Sequence, residues 1–463
     1  MADHRGSTID RALVDRALTT ASDTRHLTLD AGAIELTSRA FQAAFGDRPA
    51  VVVADPTTWS VAGQRVEQVL RRAGLATRPP IVLSAPLHAD FDRVLALASA
   101  ISDADATPVA VGSGTINDLT KLAAHRLGRR YMVVATAASM DGYAAFGASI
   151  TRDGFKQTMA CPAPAAIVAD LAIIAAAPTP LTAAGYGDLL GKVTAGADWI
   201  VADALGVEPI DTAAWQLVQG PLRDALSFPD GLRQRNLIAT EAFLLGLVLS
   251  GLAMQATQSS RPASGAEHLL SHLWEMTGPA EGKHPPSHGT KVGIGTVLVS
   301  MLYERLLSHD LAAVDVEPRV DALPSAEAVE RRVRSALPTG EVADRAVVES
   351  LAKHPTPDRL RARLSLLRER WPCLRRHLSG QLLSPAELRR RLHALGASSL
   401  PAEIGVTADR LRADLLVARQ IRRRYTVLDV AAEVGLLERC VDEVVDAVAR
   451  EVPITTIRLD RAR

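Results

Sequence analysis

Four of the twelve histidines in this 463-residue chain, His268, His272, His284 and His288, fall within twenty-one consecutive positions. Neutral imidazole is the commonest metal ligand and a frequent acid–base group, so such crowding marks a chemical site. His268 and His272 are spaced i, i+4, which on a helix places both rings on one face, a turn apart. A catalytic metal also wants an anionic ligand. AAGYGDLLGK offers Asp188, read as lying at the start of a helix after two glycines; there it would equally suit the positive end of the helix dipole. One carboxylate, two imidazoles and an open position form a recurrent catalytic metal site, able to polarise a carbonyl oxygen. Spacing alone leaves open which of the four histidines would bind.

Two further patches carry chemistry. VAVGSGTINDLTK places Gly112 and Gly114 between a strand and a helix. Glycine admits close approach of a ligand to the backbone, and the first helical turn offers unpaired N–H groups to a phosphate. The pattern is neither GxGxxG nor a Walker loop, and a plain tight turn would look the same. Asp55 ends the strand-like AVVVAD. It could hydrogen-bond an adenosine ribose, favouring NAD over NADP, or cap a helix before Pro56. TAASMDGYAAFGASI follows another strand and combines small residues with the hydroxyls of Thr136 and Ser139 and the carboxylate of Asp141. That mixture suits a ligand lying across a sheet edge.

The elements that must position these groups change character along the chain. Strands are predicted at 50–55, 81–84, 108–114 and 131–136, alternating with helical segments, which implies a parallel sheet covered on both faces. AAAPTPLTAAG (175–185) reads as a boundary or hinge. Beyond it the segments 187–205, 235–258, 264–276, 289–309, 325–336, 356–378, 385–395, 408–424 and 428–450 read as helices. The expected domains are therefore 1–178, Rossmann-like and nucleotide-binding, and 179–463, all-α. The arginine-rich stretch 355–424 reads as solvated helix faces whose arginine stems cover apolar surface.

Composition narrows the partners. Lysine plus arginine equals aspartate plus glutamate at 52 each, so there is no electrostatic case for nucleic acid or an anionic membrane. Cys161, Cys373 and Cys440 form no CxxC pair, which argues against a disulfide framework or a thiolate zinc site. The apolar run 242–254 is too short to span a bilayer and reads as a core helix, and the N-terminus has no secretory pattern. The expectation is a cytoplasmic enzyme acting on small molecules.

In this order, GSGTINDLTK, TAASMDGYA, GYGDLLGK, SGAEHLLSH with WEM, and HGTKVGIGT resemble the sn-glycerol-1-phosphate dehydrogenases, most closely their bacterial branch. That family sits in the superfamily of iron-type alcohol dehydrogenases, glycerol dehydrogenase and dehydroquinate synthase. The likeness covers nearly the whole chain, including RQIRRRYTVLDVAAEVGLL near the C-terminus. It implies an α/β Rossmann-like domain plus an all-α domain of the dehydroquinate-synthase type, with NAD(P)H and one divalent metal (zinc or nickel, with iron also suited) in the cleft between.

Carried over by motif, Gly112, Ser113, Gly114, Thr115 and Ile116 would hold the cofactor pyrophosphate, and Thr136, Ala137, Ala138 and Ser139 would line the nicotinamide side. Asp141 would contact substrate. Asp188, His268 and His288 would bind the metal, with Asp188 also beside the substrate, and His272 would face substrate and deliver a proton. His284 matches no motif. Where the family usually has a cofactor-touching serine, this chain has Ala145, a loss of one hydrogen bond worth roughly 0.5–1.5 kcal/mol. The region 320–400 is longer than the family pattern. The implied activity is interconversion of dihydroxyacetone phosphate and sn-glycerol 1-phosphate by a homo-oligomer. Alternatives are the same chemistry on another polyol or sugar phosphate, a cyclase of the dehydroquinate-synthase kind, or a non-catalytic nucleotide-binding homologue.

Overall fold

A computed structural model describes residues 11–152, 155–278 and 285–451. The chain divides into two compact units, residues 1–189 with 213–260, and residues 190–212 with 261–463.

The first unit holds a parallel six-stranded sheet. Its strands are β1 (His26–Asp30), β2 (Ala50–Ala54), β3 (Ile81–Val82), β4 (Thr107–Gly112), β5 (Met132–Ala135) and β8 (Ala166–Asp170), in the order β1-β8-β5-β4-β2-β3. The central strands AVVVA, TPVAVG, MVVA and AIVAD are buried along their full length. Such continuous runs are what a parallel sheet covered on both faces requires. A separate antiparallel hairpin pairs β6 (Ala148–Arg152) with β7 (Phe155–Met159). Four strands match the expected ones; β1, β8 and the hairpin do not stand out in the sequence. β8 lies in the alanine-rich ACPAPAAIVADLAIIAAA, where neither a period of two nor one of 3.6 is visible.

After β8 every described element is helical, so the α/β pattern ends where the sequence changes style. The compact units do not follow that change. Helices Thr212–Ala225 and Leu237–Thr257 belong to the sheet-bearing unit. The reason is specific: Gln255 Oε1 accepts from Asp23 N (3.1 Å) and Thr24 N (3.2 Å), and its Nε2 donates to Thr24 Oγ1 (2.8 Å) and the Ala144 carbonyl. Leu237–Thr257 is long and apolar enough to cross a membrane, but 83% of its most apolar window is buried within the fold.

Residues 175–185 span the break between helices Leu171–Ala176 and Thr179–Ala204. Pro178 precedes, and Pro180 occupies the first turn of, one helix running from Thr179 to Ala204; first-turn proline lacks only an N–H that is unpaired there anyway. The segment 408–424 also departs from expectation: the helix stops at Val417 and a single 3-10 turn, Ala418–Gln420, follows. The 428–450 segment is two helices, Val427–Glu433 and Leu437–Ala449, interrupted at Gly435, whose φ of 76° ends the first. Helices Thr212–Ala225 and Glu341–Lys353 were not expected.

Candidate active site

In the first unit, Gly112 is the last residue of β4, Ser113 is the N-cap and the buried helix Gly114–Arg126 follows. Ser113, Gly114 and Thr115 are partly exposed, whereas Gly112 and Ile116 are buried. The glycines have an internal reason besides ligand approach. A Cβ on Gly112 would lie 2.6 Å from Ile116 Cβ, and one on Gly114 2.9 Å from Met140 Sδ. Neither glycine has a positive φ. What the turn offers a pyrophosphate is the first-turn N–H groups of a thirteen-residue helix at the C-terminal edge of a parallel sheet.

Lys121, on the same helix and 1% exposed, fixes the neighbouring loop. Its Nζ donates to the carbonyls of Gly142 (3.1 Å), Ala145 (2.9 Å) and Gly147 (2.9 Å) and lies 3.8 Å from Asp118. Asp118 Oδ2 accepts from Ser149 N (3.1 Å), and Asn117 links Asp118 to the Tyr131 hydroxyl. In the sequence this buried network shows only as the N, D and K of GSGTINDLTK and the tyrosine that opens YMVVAT. Ala145 is buried, and it is its carbonyl that takes part.

The 136–141 segment is held closely. Thr136, Ala137 and Ala138 are buried and Ser139 is partly exposed. The Tyr143 hydroxyl donates to the Ala137 carbonyl (2.6 Å), and burial pushes that phenol above its ordinary value. A Cβ on Gly185 would fall 2.0 Å from the Ala138 carbonyl oxygen, so glycine there lets the Thr179–Ala204 helix touch the segment. Asp141 N donates to Asp188 Oδ2 (3.0 Å), while Asp141 Oδ2 accepts from Ser250 Oγ (3.0 Å). Asp188, 1% exposed, therefore sits deep inside a 26-residue helix rather than at a helix start. The expected dipole role is overturned, because Gly185 and Gly187 are interior helix residues and not starters. Asp55 caps a short helix: its Oδ1 accepts from Thr58 N (2.8 Å) while Thr58 Oγ1 accepts from Asp55 N (3.1 Å).

A cavity of about 690 Å³ in this unit is lined by Arg25, Arg48, Arg129 and Arg130. It opens at the N-terminal ends of the strands, the edge opposite the glycine turn, where doubly wound sheets do not bind nucleotide.

In the second unit, His268 and His272 lie on helix Ala266–Thr277, and His288 opens helix His288–Leu307 behind the cap Ser287. The ring centroids are 6.1 Å apart for His268–His272, 5.4 Å for His268–His288 and 5.5 Å for His272–His288. His284 lies outside the described residues. Each ring turns Nδ1 to a carboxylate: His268 to Glu267 (2.8 Å), His272 to Glu275 (3.2 Å) and His288 to Glu275 (2.9 Å). A carboxylate on Nδ1 holds the proton there and leaves Nε2 as the donor nitrogen, the arrangement that supports metal-bound histidine.

Glu267 is fully buried and also accepts from Gly265 N (2.6 Å) and Thr194 Oγ1 (2.7 Å). Burial alone would raise its pKa, but the bonds to His268 and these donors outweigh it and hold the carboxyl below its usual value. Glu275 is further paired with Lys291 Nζ (3.2 Å). His272 is held neutral, at about 3, by burial and by the Arg422 guanidinium, against the pull of Glu275. His272, Glu275 and His288 also have donor atoms mutually within 4.8 Å, but Glu275 already serves two imidazoles and a lysine.

Small residues let these helices meet. A Cβ on Gly191 would come 2.7 Å from Val292 Cγ1 and 3.5 Å from His268 Cε1; one on Gly295 would come 2.8 Å from the Glu267 carbonyl oxygen. Gly191 of GYGDLLGK and Gly295 of GTKVGIGT are thus packing residues beside His268 and Glu267.

The comparisons agree with this architecture. A family model described as iron-containing alcohol dehydrogenase matches residues 28–178. Glycerol-1-phosphate dehydrogenase (NAD(P)+) of Halalkalibacterium halodurans is 34% identical over 348 residues, 71% of this chain and 86% of that protein. Its counterpart from Bacillus licheniformis is 31% identical over 410 residues, 88% of each chain. Among solved structures, a probable glycerol dehydrogenase from Sinorhizobium meliloti 1021 superposes with a TM-score of 0.56 at 16% identity, covering 91% of this chain and 98% of that one, a likeness of fold. With relatives above 30% identity matched over most of their length, and with the nucleotide-type sheet and carboxylate-backed histidines in place, the chain belongs to the NAD(P)-dependent glycerol-1-phosphate dehydrogenase family.

Proposed function

We propose that the protein interconverts dihydroxyacetone phosphate and sn-glycerol 1-phosphate with NAD(P)H, using a divalent metal held by Asp188, His268 and His288. The observation that carries this reading is the set of three imidazoles with every Nδ1 committed to a carboxylate, a donor set that fits a metal. Helix periodicity supports Asp188 as the anionic ligand: it stands three residues before Gly191 on one uninterrupted helix, and Gly191 lies beside the His268 ring. When bound, the metal would polarise the C2 carbonyl and the nicotinamide would supply hydride. Zinc, nickel and iron all suit this nitrogen and carboxylate set.

The remaining work falls to the chain's own groups. The first-turn N–H groups of Gly114–Arg126 bind pyrophosphate, and Thr136–Ser139 line the nicotinamide side. Asp141, oriented by Ser250, binds a substrate hydroxyl. His272, neutral and with its Nδ1 proton held by Glu275, presents a bare Nε2 that accepts a hydrogen bond from the substrate hydroxyl. It can take that proton in the oxidation direction, while in reduction the proton reaches the alkoxide from water relayed past this ring. Asp55, already engaged as a helix cap, keeps one carboxylate oxygen for a ribose hydroxyl.

The test is oxidation of NADH and NADPH with dihydroxyacetone phosphate as acceptor, after chelation and with zinc, nickel or iron(II) restored. Turnover that needs both the phosphorylated ketone and the metal is expected. Turnover with metal stripped away, or with other ketones only, refutes the reading.

A further inference from the structure

Three consecutive arginines, Arg422, Arg423 and Arg424, follow the 3-10 turn Ala418–Gln420 in the second unit. They lie on a strap between helices, not on a helix face. The turn that begins it packs on Ala266–Thr277, the helix of His268 and His272, and on Glu341–Lys353. The strap is tied along its length. Ser350 Oγ donates to the Gln420 carbonyl (2.8 Å), Lys353 Nζ to that of Arg424 (3.1 Å), Arg261 Nη1 to that of Tyr425 (3.1 Å), and Val427 N to Asp198 Oδ1 (2.8 Å). The backbone that carries the arginines is therefore fixed.

Their side chains differ in partnership. Arg423 pairs with Glu349 through Nη2 (2.8 Å), and its backbone N–H donates to the same carboxylate (2.9 Å). Arg424 donates to the Ser264 carbonyl. Arg422 makes no hydrogen bond or ion pair with any described residue. It is partly buried and within electrostatic reach of His272, Glu275, Arg345 and Glu349. Burial and the Arg345 charge act against its own charge, and the Glu349 and Glu275 carboxylates offset them only in part.

A guanidinium taken from water without a hydrogen-bond acceptor is costly, and the like charge of Arg345 nearby raises that cost. An anion placed there relieves both. Guanidinium also presents paired N–H donors that match a phosphate edge, which an ammonium does not.

We propose that Arg422 is the specificity residue that binds the phosphomonoester of the substrate, on the His272 side of the imidazole cluster. The inference rests on the proposed function for the identity of the phosphate's carrier, though not for the anion site itself. A phosphomonoester could also come from the 2′-phosphate of NADP, and the test separates the two.

The variants are Arg422→Met and Arg422→Lys, with bound metal measured to show the histidine cluster intact. The preference for dihydroxyacetone phosphate over dihydroxyacetone, as a kcat/KM ratio, should fall by roughly 10- to 100-fold in Arg422→Met, mainly through KM, and less in Arg422→Lys. Competitive inhibition by inorganic phosphate should weaken in step, and the NADPH/NADH preference should hold. The proposal is overturned if the substrate ratio is unchanged, if phosphate inhibits variant and parent alike, or if the cofactor preference moves instead. Should the parent enzyme show no preference for the phosphorylated ketone, the proposed function fails. The anion site is then decided by calorimetry with inorganic phosphate: binding lost in Arg422→Met supports it, and no binding to the parent overturns it. If Arg422→Met does not fold, Arg422→Lys answers the same questions.

Discussion

Lys121→Met isolates the role of a buried ammonium. Methionine matches the lysine stem in length and apolar character but cannot donate. The substitution removes the ammonium donor from the carbonyls of Gly142, Ala145 and Gly147 at a site with no exposed side-chain surface, leaving Gly142 only the longer bond from Ala145 N (3.3 Å), and removes the cation 3.8 Å from Asp118. A hydrogen bond to a charged group contributes about 1.5–3 kcal/mol, but three sharing one ammonium do not add. Breaking a buried pair by removing one partner costs about 3–5 kcal/mol, and that is the expected loss. At about 2–4 °C per kcal/mol for a unit of this size, the melting temperature should drop by roughly 6–20 °C. The assay is thermal unfolding followed by circular dichroism, together with NAD(P)H titration by nicotinamide fluorescence. The 139–145 loop loosens when its anchor goes, so cofactor binding should weaken along with stability. A variant that melts within about 2 °C of the parent would refute the clamp. If that variant also lost NAD(P)H binding, the lysine would be a cofactor ligand instead.

Three further outcomes are expected. His268→Ala should lose metal and activity together, whereas His272→Ala should keep the metal and raise the KM for ketone; metal analysis beside steady-state kinetics checks this, and an empty site in His272→Ala overturns the division of roles. Glu275→Gln removes the negative charge shared by His272, His288 and Lys291, and metal affinity should fall roughly 10- to 100-fold in a competition titration with a chromophoric chelator. Burial and the neighbouring Glu267 raise Asp198 from 3.8 to about 7. Folded protein then holds this proton more tightly than unfolded chain, so the Asp198 contribution is full at low pH and is lost as pH rises through about 7. Urea unfolding of metal-free protein across that window should show the decline, and Asp198→Asn should flatten it.

Much of the scaffold is readable without coordinates. Buried parallel strands are short β-branched runs whatever their neighbours, so β2, β4 and β5 declare themselves locally. The long helices of the second half do so by periodicity and by caps such as Ser287, Ser325, Thr356 and Ser384. Asp188 illustrates the limit. Local rules read two glycines before a carboxylate as a helix start, yet Gly185 is glycine because the Ala138 carbonyl comes so close. That is a long-range steric fact with no local signature.

The histidine cluster divides in the same way. Residue types and order, with the family likeness they carry, assign a metal-dependent dehydrogenase, because imidazole and carboxylate chemistry is a property of the side chain. Sequence could not show that Glu267 and Glu275 orient the rings, since Glu275 serves His288 from thirteen residues away on another helix. Nor could it distinguish three adjacent arginines. Arg423 meets Glu349 and Arg424 meets Ser264, while Arg422 meets neither, and hydrogen-bond partnership is set by which elements pack against the strap. Side-chain identity is local and survives in the sequence. The choice of partner depends on distances between residues as remote as Asp23 and Gln255, 232 positions apart, and only the folded chain determines those.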